Sequence, residues 1–504
     1  MKNIYLLFVA GLLFSCTSVK KYNQHLETPV AAEKLKKDAD FAYKKLQKFH
    51  PNLYWFIPKD SLDLEFENLK NSINTPLKPA EFYQKLMPVI TKIREGHQSS
   101  IIPYPRKRLT KKEQKKYKDT KSLLGRMEYV LDGKCVFVKE NIDDFDSIKI
   151  GTEILKINDV PVSDYLEKYE KFVSSDGFNT TFQKYILAAR LERIFTAENG
   201  ILDSIKLQTR YSDEVKDFYI HLEKIDKTEK KKKKKTEKEI SKNPEQKNKD
   251  YNPANRSFNR DLKFLDQDSS IAYMKIKTFS GVKSKNFYKE SFETLQKTGS
   301  KYLIIDIRNN TGGSLSEIRN LYSYLAVDKV KLINDMEVTG RSSIHHADYP
   351  FNSFLAVVYP FYFVRNVFAT KSKDGKFYLR GNKAKTPKET AFHGKIYLLV
   401  NGMSFSASSI ISSKLKNDKR AVLVGEETGG TNDGTVAGQI STTKLPNSKL
   451  YFPVWLMFIQ PNIEFTNTKK GVTPDVEILP TLEEILQKKD VELEWILKDI
   501  EAEK

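Results

Sequence analysis

Between Ala31 and Arg94 apolar residues return at helical spacing, as in Leu35, Phe41, Ala42 and Leu46 and again in Phe82, Leu86, Val89, Ile90 and Ile93. Such spacing gives each helix one apolar face, so residues 31–100 are expected to form a small helical domain. Ser61, Thr75 and Lys78-Pro79 supply cap and turn signals within it. From 122 to 225 the pattern shortens to β-like runs, among them Tyr129-Val130-Leu131 and Cys135-Val136-Phe137-Val138. After Asp261 strands and helices alternate. Ile271–Ile276 reads as a strand, and Tyr302–Ile307 as a buried strand followed by a glycine turn and a helix from about Ser314 to Ala326. Lys395–Val400 repeats that sequence of elements with a helix from about Ser406 to Leu415, and Ala421–Val424 is a third buried strand. The expectation is a multidomain α+β chain whose last part, 261–490, is a layered α/β domain.

Composition narrows the class. A chain of 504 residues exceeds what one core supports, and 39% apolar with 30% charged residues is the balance of a globular protein. No uninterrupted apolar stretch long enough to span a bilayer follows the first residues. The net charge of +20 is concentrated: Arg106–Lys121 holds nine basic against two acidic residues, and Lys227–Arg260 thirteen against five. Neither segment interleaves aromatics for stacking on bases, and Lys230–Lys235 is an unbroken block that repels itself into solvent. Residues 226–260 therefore read as a Lys-rich linker or disordered insert, and a nucleic-acid partner is not expected.

The start of the chain carries an address. Lys2 precedes an apolar run, Ile4–Phe14, too short to span a membrane comfortably, as in a signal peptide. Leu13-Phe14-Ser15-Cys16 resembles the bacterial lipobox, which implies lipidation of Cys16, removal of the residues before it, and a place in the cell envelope at the periplasmic face or the cell surface. Beyond Cys16 one cysteine remains, so no intramolecular disulfide forms. That residue, Cys135, lies in a strand-like run and is expected to be buried and inert.

The chemistry-bearing stretch is Leu398-Leu399-Val400-Asn401-Gly402-Met403-Ser404-Phe405-Ser406-Ala407-Ser408-Ser409, a buried strand turning through glycine into a helix. A serine at such a helix start projects its hydroxyl where free N–H groups can stabilise an oxyanion. On physical grounds Ser404, Ser406, Ser408 and a plain N-cap all remain open.

Asn401–Ser409, with Val424-Gly425-Glu426-Glu427-Thr428-Gly429-Gly430 downstream, resembles the serine motif of the C-terminal-processing and tricorn-core peptidase family. The resemblance implies Ser406 as nucleophile. Leu303-Ile304-Ile305-Asp306-Ile307-Arg308-Asn309-Asn310-Thr311-Gly312-Gly313 is similar to the family's glycine turn and implies an oxyanion hole from Gly312 or Gly313 with Ala407. Ile93-Arg94-Glu95-Gly96-His97 resembles the segment that supplies the histidine in the tricorn-like branch, pointing to His97 as general base. Gly151–Val162 resembles the core of PDZ domains, which take extended peptides at a sheet edge, so 122–225 is expected to be a PDZ-like module. The family implies a crotonase- or ClpP-like core for 261–490. The matches run from about 31 to 490 and include Ser175-Asp176-Gly177.

Three departures matter. Where Ser-Lys members carry a lysine after the glycine turn this chain has Thr431, which disfavours a Ser-Lys dyad. The helix has Ser409 in place of the family's glutamate, and the orienting carboxylate of the tricorn-like branch falls on Glu464, in a poorly kept motif. No metal motif or P-loop is present, and His345-His346, if on a strand, point to opposite faces, so neither a metal nor another cofactor is expected. The reading is a lipid-anchored serine peptidase acting on peptides or proteins. Its rivals are a silent peptide- or lipid-binding protein on the same fold, and an esterase using the same dyad.

Overall fold

The apolar runs at 271–276, 302–306, 395–400 and 422–425 are the centre of a sheet covered on both faces, the environment in which near-continuous apolar strands belong. In the computed structural model, which describes residues 18–503 except 143–146, 226–227, 229–234, 237, 241–242, 244–245, 247, 253–256, 282, 342, 349–363, 365–367 and 380–381, this sheet has six strands. Their spatial order is Val476–Glu477, Val422–Gly425, Lys395–Val400, Tyr302–Asp306, Ile271–Ile276 and Arg260–Phe264. All neighbours are parallel except the edge strand Arg260–Phe264. Ile304, Tyr397, Leu399 and Val424 pack under Ile496 and Ile500 of the C-terminal helix Val491–Ala502. Their alternates Leu303, Ile305, Leu398 and Leu423 join the main core with Ile318, Leu321, Ile410 and Ile411 from helices Leu315–Leu325 and Ala407–Asn417. Two adjacent parallel strands, Tyr302–Asp306 and Lys395–Val400, thus deliver their following loops side by side at the carboxyl edge, the usual place for a site in such a sheet.

A second, antiparallel sheet contains the long hairpin Thr435–Lys444 and Tyr451–Ile459, with a register irregularity between Ala437 and Ile440. The helix Ala32–Phe49 packs on this hairpin. Its buried Asp38 accepts hydrogen bonds from the backbone N–H groups and side chains of Asn447 and Ser448 at the hairpin turn. The helices Lys59–Asn71 and Pro79–Thr91 complete this layer, and its apolar residues are continuous with the main core. The short helix Gly96–Ile101 lies against both hairpin strands, which carries His97 toward the sheet domain.

The third sheet is ordered Met127–Asp132, Cys135–Asn141, Glu153–Ile157, Ser204–Tyr211 and Glu214–His221, with Val160–Pro161 paired to Glu153–Ile157. Helices Val162–Glu170 and Thr181–Asn199 pack on it. Contrary to the expectation from sequence, Cys135 is exposed, because the alternation buries Val136 and Val138 instead. A hydrogen bond with Glu153, and then partial burial, raise its thiol pKa, so it is still poorly disposed to react. Among the described residues no helix is long and apolar enough to cross a membrane.

Candidate active site

The strand Lys395–Val400 ends at Asn401, and the chain turns through Ser404 to Ser406 before the helix Ala407–Asn417 begins. The structure separates the serines that the sequence left equivalent. Ser404 Oγ donates to the Ile307 carbonyl, Ser408 Oγ to the Asn310 carbonyl, and Ser409 Oγ to the Ser404 carbonyl. Ser406 stands at the N-cap with φ 60° and ψ −120°, a conformation costly for a side chain bearing Cβ, and it makes no capping hydrogen bond. Among the described residues its half-buried hydroxyl has no hydrogen-bond partner. A serine held in a strained turn without capping the helix serves no structural need that alanine or glycine would not meet.

The glycine turn 307–313 lies directly against this serine. A Cβ at Gly312, where φ is 101°, would sit 2.7 Å from Ser406 Cβ and 2.9 Å from Ala407 N, so only glycine permits this approach. The two loops are laced together. Phe405 N–H donates to the Asn310 carbonyl, and Asn401 Oδ1 accepts from Asn309 N–H while its amide donates to Asn309 Oδ1. The Gly312 N–H is bonded to Asn310 Oδ1, which leaves the Ala407 N–H of the helix's first turn as a donor beside Ser406, with Gly313 next along the facing turn. The start of the turn is pinned electrostatically: buried Asp306 pairs with Lys275 and Arg308, and Arg308 reaches Asp490 and Glu492. Burial works to raise the Asp306 pKa, but Lys275 and Arg308 outweigh it and hold the carboxylate ionised.

His97 packs on the residue before the serine, its ring centroid 4.5 Å from that of Phe405, with Trp455 edge-on at 5.7 Å. This apolar enclosure leaves the side chain 13% exposed and lowers its pKa to about 4, so the imidazole is neutral and able to accept a proton near pH 7. Its Nδ1 lies 3.0 Å from Thr435 Oγ1. Behind the threonine is fully buried Asp176, which accepts from Thr435 Oγ1 at 2.9 Å and from Gly96 N–H at 2.7 Å. Burial pushes the Asp176 pKa up to about 7 against those two hydrogen bonds. Next to it Glu95 is 1% exposed, and among the described residues neither of its carboxyl oxygens has a partner within hydrogen-bond distance. Burial first, and then the charge of Asp176, raise the Glu95 pKa well above the usual range, against a weak pull from the Val436 backbone.

The structure thus brings Ser406, Gly312, Gly313, Ala407 and His97 into one neighbourhood. Glu464 is exposed on the segment after Tyr451–Ile459, and among the described residues the carboxylate within 4 Å of His97 is Asp176. Cys16 lies outside the described residues. His345 and His346 fall in a 3-10 turn, Ser343–His346, instead of a strand, and His346 packs on Phe49. Sequence reading missed Asp176, Thr435 and Glu95 as neighbours of the histidine. Glu95 adjoins the His97 motif and Asp176 sits in a matched tripeptide, whereas nothing local marks Thr435.

No curated protein matches this sequence. The structure is similar to that of mature CPAF complexed with lactacystin, at 16% identity and a TM-score of 0.59, over 94% of this chain and 98% of that one. It is also similar to mature CPAF itself, at 15% identity and a TM-score of 0.55, over 91% and 95%. Those likenesses establish a shared fold. Residues 270–478, which hold the five parallel strands of the six-stranded sheet, the glycine turn and the Ser406 loop, match the model of peptidase family S41. Residues 270–478 are thus a peptidase family S41 domain, and the chain that carries it is a serine peptidase.

Proposed function

We propose that this is an exported, lipid-anchored peptidase in which Ser406 attacks the carbonyl of a peptide bond and His97 serves as base and then acid. His97 takes the Ser406 proton as the Oγ–C bond forms, and returns it to the amine as the C–N bond breaks; water then reverses the steps to release the acid. Gly313 and Ala407 N–H groups hold the oxyanion, with Gly312 supplying the close approach. The observation that carries this reading is the state of Ser406, strained at a helix N-terminus with a hydroxyl that bonds to none of the described residues. The third sheet, in the place of the PDZ-like module, would present an extended peptide, and Leu13–Cys16 would tether the protein to the cell envelope.

A fluorescent fluorophosphonate probe tests the chemistry. The protein should label, and Ser406→Ala and His97→Ala should not; a folded wild type that fails to label favours the binding protein instead. For the anchor, the intact mass of membrane-extracted protein should show a lipidated Cys16 at the N-terminus, and an unmodified cysteine there overturns that part.

A further inference from the structure

Given Ser406 and His97 as assigned above, the histidine must carry its proton on Nδ1, so that the Nε2 lone pair is free for the serine. In a direct triad a carboxylate bonded to Nδ1 enforces this. Here Asp176 Oδ2 stands 3.9 Å away, too far for that bond, and the atom in contact with Nδ1 is a hydroxyl.

We propose that Thr435 and Asp176 act together as a positioning relay that fixes the tautomer and orientation of His97. The argument counts protons. A threonine hydroxyl has one hydrogen, and an ionised carboxylate can only accept, so the Thr435 hydrogen lies on the 2.9 Å bond to Asp176 Oδ2. Thr435 Oγ1 then faces His97 Nδ1, 3.0 Å away, with a lone pair, and Nδ1 must be the donor. Three further features support the arrangement. The neighbouring buried carboxyl, Glu95, has among the described residues no hydrogen-bond partner on either oxygen beyond the weak pull of the Val436 backbone, whereas Asp176 has two donors, Thr435 Oγ1–H and Gly96 N–H; of the pair, Glu95 takes the proton and Asp176 keeps the charge. The Gly96 N–H belongs to the residue before His97, so the backbone carrying the ring also holds its relay. Thr435 is itself set by backbone pairing to Ile459 at the start of its strand, and its β-branch restricts the hydroxyl's swing.

The test uses purified full-length protein and the rate of fluorophosphonate labelling, resolved into kinact and KI. Thr435→Val keeps shape and removes the hydroxyl; kinact should fall about 100-fold with KI nearly unchanged, while Thr435→Ser should recover at least tenfold over the valine variant. Asp176→Asn, which can donate to Thr435 and turn the hydroxyl's hydrogen toward Nδ1, should fall at least as far. In 15N NMR the His97 ring should be protonated on Nδ1 in the wild type and shift toward Nε2 in Asp176→Asn. Labelling of Thr435→Val at the wild-type rate, or an Nε2-protonated His97 in the wild type, overturns the relay. If Ser406→Ala still labels, the nucleophile assignment fails instead, and the two failures are distinguished.

Discussion

The serine half and the histidine half of the site are built in opposite ways. Ser406, Ala407, Gly312 and Gly313 sit on two short loops that leave adjacent parallel strands, and each loop is a contiguous stretch of sequence. The histidine half is gathered from Glu95–His97, Asp176 and Thr435, segments separated by tens to hundreds of positions and joined by single hydrogen bonds. The serine half is stiffened by backbone geometry and an ion cluster around Asp306, whereas in the histidine half two buried carboxyls and an imidazole have, among the described residues, no Lys or Arg within ion-pair distance. The first can be read from motifs; the second depends on how three layers dock.

Perturbing the serine half locally should have the largest effect. Gly312→Ala places a methyl 2.7 Å from Ser406 Cβ at a φ that disfavours it, displacing the turn that carries the oxyanion donors. A loss of about 100- to 1,000-fold in labelling rate is expected. A rate within a few-fold of wild type would mean that the turn does not touch the chemistry. Asp306→Asn leaves Lys275 and Arg308 without their buried counter-charge and should cost about 3–5 kcal/mol in urea unfolding. On the other half, Asp38→Ala removes the acceptor that ties the helical layer to the hairpin bearing Thr435; about 2–3 kcal/mol of stability should go. If the account of the halves is right, Asp306→Asn should also displace the glycine turn, and Asp38→Ala should slow labelling through the histidine.

The gentlest probe is pH. The groups facing Asp176 are Glu95 and His97. Below about 7 Asp176 gains its proton and can itself donate to Thr435, which releases the constraint on His97. Labelling should therefore decline as pH falls through about 7, by up to tenfold per unit, well above the value of about 4 at which His97 protonates. A single acid limb near 4 would show that the state of Asp176 is irrelevant.

The legibility of the fold follows the same division. The apolar runs at 271–276, 302–306 and 395–400 became parallel strands because both their faces are buried, a local property. The exposure of Cys135 is not legible because a short alternating run does not reveal its phase: Val136 and Val138 point inward and the thiol outward. Asp176 reaches the site because its loop is hydrogen-bonded to the Gly429 and Arg94 carbonyls, which no local pattern encodes. Thr435 is one threonine at the start of a strand; only the position of His97 across from it gives it a role.

The central claim is that Ser406 is the activated nucleophile, and peptide mapping by mass spectrometry of the fluorophosphonate-labelled protein tests it most directly. The account predicts one phosphonylated residue, Ser406, with Ser404, Ser408 and Ser409 unmodified; a label on another residue, with Ser406 intact, would contradict it.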